Sequence, residues 1–214
     1  MPDAKVSALP NGGTPADTDI VLVASAGASE TFTMNQLTAY FESRARQSNG
    51  SLAAQAFAVG GQSYVIGSNV TIPTGRLQAK TMYRCRFNIT KTAAGTIAPV
   101  IQIHVGTGGV VGDSSKGTHT FAAQTAAVDS GLIEVYGVFR TVGAGTSAVL
   151  QTVVQLSHAL SITGFSTEVS PTRQAASPGF DSTVAGLQVG VSVSPGAAAA
   201  WTTNMVQAEL FNLA

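Results

Sequence analysis

Three histidines are the first candidates for chemistry, because imidazole is a common metal ligand and a common general base. His104, His119 and His158 each lie in or beside a different predicted strand. No two of them have the HxH or HExxH spacing that is typical of zinc sites. His104 and His119 could approach each other on neighbouring strands, but no acidic partner accompanies them. The sequence therefore predicts polar strand residues here, with no metal and no cofactor.

Carboxylates are the second candidates, since hydrolysis of a sugar chain uses two acidic side chains near the scissile bond. Most acids of the main body fall in predicted turns, where Asp is a common turn former. Glu134 lies in a strand and is expected to point outward, and the GxSxG context of a hydrolase serine is absent. We expect no catalytic residues, and a hydrolytic module is a less favoured alternative. The acids considered are Asp113, Asp129, Glu134, Glu168, Asp181 and Glu209.

A glycine-rich stretch at 106–113 (GTGGVVGD) suggests a phosphate-binding loop at first sight. It lacks the GK[ST] ending of a P-loop, and its last glycine comes one residue too late for GxGxxG. No helix pattern follows that would place an N-terminus against an anion. The stretch is therefore predicted to be a loop between two strands.

A basic group between residues 76 and 91 is the nearest candidate for binding nucleic acid. Arg84 and Arg86 lie two apart and are expected to share one face of a strand. The chain as a whole carries 11 bases and 11 acids, whereas non-specific nucleic-acid binding needs several unopposed cations. We predict a solvated face or contacts between subunits, and no nucleic-acid partner. The group is Arg76, Lys80, Arg84, Arg86 and Lys91.

The charged fraction of the chain is 10%, well below the roughly 25% of typical soluble domains. A surface with so little charge repels its own copies weakly, which mildly favours self-association. No stretch approaches the ~20 apolar residues of a membrane span. The N-terminus lacks the features of a signal peptide, so we expect synthesis in a cytoplasm. Cys85 is the single cysteine, and it is predicted to be a small buried strand residue.

The elements that would position these residues are short segments of alternating apolar residues separated by Gly-, Ser- and Thr-rich turns. This spacing is typical of consecutive antiparallel strands. One long connection is predicted at 159–183. We predict an all-β, jelly-roll-like antiparallel β-sandwich over 64–214. The strands are expected near 64–72, 81–90, 97–105, 118–123, 132–142, 147–158, 185–194 and 201–212.

The sequence of residues 1–47 lacks the strand pattern of the sandwich and predicts a small separate module. Residues 20–24 (IVLVA) and 30–33 (ETFT) read as a hairpin. Thr33 and Gln36 form a capping box that would start a helix ending near Gln47. Residues 48–63 are predicted to be a linker. The residues expected to pack or attach the module are Leu9, Pro10, Ile20, Leu22, Phe32, Leu37, Tyr40 and Phe41.

The opening segment resembles the short N-terminal segment of many tailed-bacteriophage virion proteins. The resemblance rests on an LP pair, a following Asp, a turn Gly, a TxT pattern and a closing QL. In that family the segment often precedes fibre or appendage domains and is taken to serve attachment or oligomer formation. The matching residues are Leu9, Pro10, Asp19, Gly27, Thr31, Thr33, Gln36 and Leu37.

The body is similar to a β-sandwich domain of phage and prophage structural proteins. The stretches that carry this similarity are 84–96, 139–143, 145–151, 180–183 and 206–210. The two resemblances imply a virion component, without transferring any binding residue. They imply other virion proteins as partners, and a homotrimer, since phage appendages are usually closed homo-oligomers.

We therefore expect a non-enzymatic virion protein, with residues 1–47 as attachment module and the sandwich projecting. A tail fibre or appendage is favoured over a head fibre or capsid decoration protein, and a carbohydrate-binding module is a further alternative. In the tail version, sandwich loops would contact a host glycan or protein. The candidate loops are 106–117, 143–146 and 164–182, with candidate residues Gly108, Gly109, Asp113, Lys116, Gly145 and Arg173.

Overall fold

The computed structural model describes residues 20–25, 28–33, 36 and 46–214. The chain falls into two compact units, Met1–Ser43 and Arg44–Ala214.

The first unit contains the predicted hairpin. Strands β1 (Ile20–Ser25) and β2 (Ala28–Thr33) pair antiparallel, from Ile20 opposite Thr33 to Ser25 opposite Ala28. The predicted capping box is also confirmed. The Thr33 N–H donates to Gln36 Oε1 at 2.9 Å, and the Gln36 N–H donates to Thr33 Oγ1 at 3.1 Å.

Other predictions for this unit lie outside the described residues. These are Leu9, Pro10 and the helix stripe of Leu37, Tyr40 and Phe41. Ile20 and Leu22 lie on β1 and Phe32 lies on β2. The predicted end of the helix near Gln47 is wrong, because Arg46 already begins a strand of the second unit.

The second unit is built from two antiparallel sheets, which confirms the predicted all-β sandwich. Its strands are β3 (Arg46–Ser51), β4 (Gln55–Ala56), β5 (Ser63–Tyr64), β6 (Val70–Thr71), β7 (Met82–Lys91), β8 (Val100–Gly106), β9 (Ser115–Thr120), β10 (Asp129–Thr141), β11 (Val149–His158), β12 (Thr172–Ala176), β13 (Gln188–Ser194), β14 (Trp201–Thr203) and β15 (Val206–Phe211).

The larger sheet has the order β12-β11-β10-β7, and the far edge of β7 is shared by β14 and β15. β4 then pairs with β14, and β3 pairs with β15. In the smaller sheet, β5 and β6 both pair with one side of β13, followed by β8 and β9. The six-strand width of the larger sheet therefore depends on contributions from both ends of this unit.

Strand alternation explains where the core lies. Successive side chains of a strand point to opposite faces, and in β7 the inward set is Tyr83, Cys85, Phe87 and Ile89, all without exposed surface. Ile101 and Ile103 of β8 meet them from the smaller sheet within the same core cluster. Burial raises the pKa of the Cys85 thiol to about 12, which keeps it protonated at neutral pH. The prediction of a buried cysteine is confirmed.

Side chains tie the two sheets together along both long sides of the sandwich. On one side, Asn49 Nδ2 of β3 donates to the Asn69 carbonyl at 2.7 Å. On the other side, Arg173 Nε of β12 donates to the Thr120 carbonyl at the end of β9, at 3.1 Å. These bonds use polar groups at strand edges that would otherwise be open to pairing with another chain.

The structure corrects three predicted boundaries. The predicted linker at 48–63 instead contains most of β3, all of β4 and the start of β5. The predicted strand at 64–72 is replaced by the two-residue strands β5 and β6. The predicted connection at 159–183 contains β12, which pairs with β11 and extends the larger sheet.

A polar side chain explains why the predicted strand at 201–212 is split in two. Asn88 Oδ1 accepts hydrogen bonds from the Asn204 N–H at 3.1 Å and the Met205 N–H at 2.9 Å. These backbone groups turn towards a side chain instead of continuing the ladder with β7. The last strand is therefore interrupted between β14 and β15.

Candidate binding surfaces

One end of the sandwich gathers four connections. They are the segment before β7, the β8–β9 loop, the β10–β11 loop and the segment between β12 and β13. Antiparallel pairing places Met82 opposite Val138 in the larger sheet and Gln188 opposite Gly106 in the smaller one. The Ala148–Phe180 bridge and the position of Lys116 Nζ over the Phe180 ring join the two sets. We call this the loop end, residues 72–81, 107–114, 142–148 and 177–187.

A cleft of about 250 Å³ opens at the loop end. Ile72, Pro73 and Leu77 form one wall, and Val142 and Val184 form the other. At its base the Gly143 N–H donates to Ser182 Oγ at 2.9 Å, and the Ser182 N–H donates to the Gly143 carbonyl at 2.9 Å. The cleft can therefore hold a small apolar group above a base fixed by backbone hydrogen bonds.

The predicted glycine-rich loop closes on its own aspartate. The Asp113 carboxylate accepts hydrogen bonds from the N–H groups of Gly108 at 3.1 Å and Gly109 at 2.7 Å. No helix begins here, as the sequence predicted. Since the carboxylate occupies the position an anion would take, this loop is a structural turn.

The other candidate loop residues do not converge with Asp113 on one site. Lys116 is buried, donates to Ser114 Oγ at 2.9 Å and lies 4.7 Å from the Phe180 ring centroid. Arg173 pairs with Glu168 at 2.6 Å, along the side of the sandwich. Gly145 belongs to the loop end, where hydrogen bonds from Thr183 and from the Gly145 backbone lower the pKa of Asp181.

A hydrogen-bonded serine and histidine lie on the smaller sheet and were missed in the sequence. His104 Nε2 lies 2.7 Å from Ser192 Oγ, and His104 Nδ1 lies 2.8 Å from the Asp113 carbonyl. The carbonyl can only accept, so Nδ1 carries the proton and Ser192 donates to Nε2. Such an arrangement can activate a hydroxyl. Here Ser192 is fully buried, and Gln62 Nε2 donates to its oxygen at 2.6 Å.

His119 is not a neighbour of His104. In the β8–β9 ladder His119 pairs with Ile101, and His104 pairs with Ser115. His119 Nε2 lies 3.0 Å from Thr152 Oγ1. Burial lowers the pKa of His119 to about 4, so this imidazole is neutral at physiological pH. It acts as a polar tie between β9 and β11.

His158 has an acidic partner that the sequence did not indicate. Its Nδ1 lies 2.8 Å from Asp129 Oδ2, and both side chains are almost completely buried. Lys91 Nζ, also buried, donates to the Thr125 and Gly164 carbonyls close by. Burial lowers the pKa of Lys91, and the charge of Asp129 opposes this shift. We call Lys91, Asp129 and His158 the buried ionic cluster.

The buried ionic cluster has little access to solvent. Two shallow surface depressions lie beside it, of about 390 and 500 Å³, and they share Thr90, Ser130 and Ala159. The Asp129 and His158 side chains are 0% and 1% exposed. The cluster therefore supports the loops around it and does not present a reactive group to a ligand.

The outer face of the larger sheet, the side turned away from the smaller sheet, carries a charged centre. Arg84 and Arg86 share this face, as predicted. Arg84 Nη2 lies 3.5 Å from Glu134 Oε1, and its Cζ lies 5.6 Å from the Tyr136 ring centroid. Arg86 Nη2 donates to Gln207 Oε1 at 3.2 Å. Exposed pairs of this kind contribute about 0–1 kcal/mol each to stability.

Within the described residues, no three His, Cys, Asp or Glu side chains are grouped so that they could hold a metal ion. The described part of the chain also contains no helix long and apolar enough to cross a membrane.

Comparison with known proteins found no matching family model and no matching curated protein. The solved structures that match include two with low similarity. A protein of unknown function from Shewanella oneidensis MR-1 has 10% identity and a TM-score of 0.35, over 78% of this chain and 86% of that one. The CBM2 module of an evolved Dit protein from Lactobacillus casei BL23 phage J-1 has 8% identity and a TM-score of 0.33, over 78% and 98%. At these values the comparisons carry no argument about function.

Proposed function

We propose that this chain is a non-enzymatic structural protein of a bacteriophage particle. In this proposal it is a homotrimeric tail fibre or appendage component, attached through residues 1–47, with the sandwich as its projecting part. The phage class rests on the sequence resemblance of the opening segment and the body. A head fibre or capsid decoration protein is the alternative within the same class.

The observation that carries the structural role is the use of interior polar groups as ties. The buried ionic cluster, the His104–Ser192 pair and Lys116 all bond to backbone or side-chain groups of adjacent loops and strands. Groups satisfied in this way rigidify a fold. A rigid sandwich whose buried polar groups are bonded to its own loops and strands suits a part that must keep its shape on the outside of a particle.

The loop end is the candidate region for contact with a host surface. Loops on a rigid scaffold commonly carry binding, and the cleft between Pro73, Val142 and Val184 offers an apolar recess there. Two of the three candidate loops reach this end, namely 106–117 and 143–146. The third, 164–182, reaches it only through its last residues.

Immunogold electron microscopy of particles tests the virion assignment. Antibodies raised against residues 44–214 are expected to label intact particles at the tail. Labelling of the head would favour the decoration alternative. Particles that contain no chain by mass spectrometry would overturn the proposal.

Light scattering tests the oligomer. One chain has a mass of 21.7 kDa. Light scattering at micromolar protein concentration is expected to give a mass about three times this value. A monomer would contradict the trimer.

A glycan array with the same sample tests whether the protein serves adhesion. Binding to glycans on the array would favour host attachment, and the absence of binding would favour decoration.

A further inference from the structure

The outer face of the larger sheet is wide enough to form a stable interface. Six strands lie across it, from β12 to β3. At about 4.8 Å between strands and 3.3 Å per residue, the face covers roughly 800 Å². A typical stable interface buries about that area on each partner.

A strip of apolar residues, each half-buried, crosses this face near the loop end. Phe211 lies opposite Met82, and Met82 lies opposite Val138. Tyr136 and Val153, another outward pair, adjoin the strip across β10 and β11. A solvated sheet face normally carries polar residues at its outward positions. Apolar residues beside a charged rim are instead typical of a protein interaction site.

The charges around the strip are mainly positive. Arg46, Arg84 and Arg86 lie on the outward rows together with Arg140, while Glu134 and Glu209 are the acids among them. Arg86 and Arg140 are exposed. The face therefore has a surplus of two positive charges.

The acids that could complement this surplus are concentrated at the start of the sequence. Residues 1–43 contain five acids and a single base, Lys5. The remaining ten bases and six acids lie in residues 44–214. The zero net charge of the chain thus combines an acidic first part with a basic second part. The five acids are Asp3, Asp17, Asp19, Glu30 and Glu42.

We propose that the outer face of the larger sheet binds the acid-rich residues 1–43 of a second copy of this chain. This inference rests on the proposed homo-oligomer and names the surface that would hold it together. The apolar strip supplies area removed from water, and the arginines select the acidic segment and orient it. Contact between copies through one face and a different segment is heterologous, which is the type of contact that closes a ring of three.

Two other occupants fit the face less well. The same face of a second copy would bring two positive surpluses together. Nucleic acid would meet Glu134 and Glu209 between the arginines, where carboxylates repel phosphate. Binding of residues 1–43 in trans satisfies both the apolar and the charged part of the surface.

Site-specific photo-crosslinking of the full chain tests this proposal. A photoreactive phenylalanine analogue replaces Val138 on the face, and copies labelled with ¹⁴N and ¹⁵N are mixed before irradiation. Crosslinks between a light peptide containing residue 138 and a heavy peptide from residues 1–43 are expected. Crosslinks within one copy only, crosslinks to the same face, or no crosslinks in a sample that is oligomeric would overturn it.

A charge reversal supplies a second measurement. Arg86→Glu is expected to weaken self-association about tenfold in sedimentation velocity, because it replaces an attraction by a repulsion. Lys80→Glu makes the same change at an exposed position of the loop end and is expected to leave association unchanged. Equal effects of the two variants would contradict the assigned surface.

The two proposals fail in distinguishable ways. An oligomer that persists in Arg86→Glu, without crosslinks from position 138, overturns the assigned face and leaves the virion role in place. A wild-type chain that is a monomer at all concentrations overturns both the face and the homotrimer.

Discussion

His158 Nδ1 lies 2.8 Å from Asp129 Oδ2 inside the sandwich, at the end opposite the loop end. The same carboxylate accepts the N–H groups of Leu160 and Phe165, each at 3.2 Å. One side chain at the start of β10 thus holds the end of β11 and the loop that follows it. The interaction is structural, because all of these donors belong to the fold itself.

Asp129→Asn is expected to destabilise the sandwich by about 3 kcal/mol, since the buried Lys91 loses the negative charge that opposes its desolvation. Urea unfolding followed by Trp201 fluorescence measures this. Trp201 is the single tryptophan, is 1% exposed and stacks edge-on against Phe165 at 4.7 Å. Asp181→Asn is the control, because that carboxylate accepts its hydrogen bonds within a loop-end turn, and its unfolding midpoint should fall much less than that of Asp129→Asn. Equal midpoints for the two variants would contradict the role of Asp129.

The lowered pKa of His119 predicts that the folded protein loses stability in mild acid. Its pKa in the folded chain is about 4, below the ordinary value of 6.5. As pH falls, the unfolded chain therefore binds the proton first. The free energy of unfolding is therefore unaffected by His119 protonation above about pH 6.5. It falls by about 3 kcal/mol in all as the pH decreases from about 6.5 to 4. His119→Gln should remove this part of the pH dependence.

Urea midpoints of wild type and His119→Gln at pH 7, 5.5 and 4.5 measure the effect. The difference between the two proteins isolates His119 from the other acid-titrating groups. NMR titration of the imidazole C–H signals gives an independent check. A His119 signal that titrates near pH 6.5 would contradict the prediction.

Alanine substitutions at Gly67 and Gly75 distinguish the energetic cost of steric crowding from the cost of a strained backbone conformation. Both have positive φ, +84° and +72°. A Cβ at Gly67 would lie 2.6 Å from the Gly50 carbonyl carbon, whereas a Cβ at Gly75 would meet nothing within 4 Å. Gly75→Ala should cost about 1 kcal/mol from conformation alone. Gly67→Ala should cost at least about 2 kcal/mol more, because β3 must shift. Equal costs in urea unfolding would show that β3 is not held against residue 67.

Cys85 is expected to be unreactive in the folded protein. It is fully buried, and burial raises the pKa of its thiol to about 12, so almost no thiolate forms at pH 8. Ellman's reagent should give no reaction in buffer and one thiol per chain in urea. Ser161→Cys, at an exposed position of the loop after β11, should add one thiol that reacts at once. Rapid reaction of wild type in buffer would mean that the core opens easily.

The sequence predicted the strands well where one face is buried. The expected strand at 81–90 is β7 at Met82–Lys91, and the expected strand at 147–158 is β11 at Val149–His158. Alternation is a local signal, so it needs no knowledge of partners. The same holds for the Thr33–Gln36 capping box, which depends on residues three apart.

The elements that were missed depend on distant partners. β3 reads RQSNGS, a polar sequence without alternation, and it is a strand because β15 offers it an edge more than 150 residues later. The His158–Asp129 pair joins residues 29 apart on different strands, and the Gln62–Ser192 contact joins residues 130 apart. No spacing rule for short motifs covers such distances, so only the folded chain brings these groups together.

The position of β15 between β3 and β7 has a consequence for biosynthesis. Both flanking strands leave the ribosome well before the one that joins them, so the centre of the larger sheet stays open until residue 211 has been translated. The sandwich can close only after its last strand emerges. Nascent chains that stop a few residues early would leave the position between β3 and β7 empty, which gives quality-control proteases a means to tell incomplete chains from folded ones.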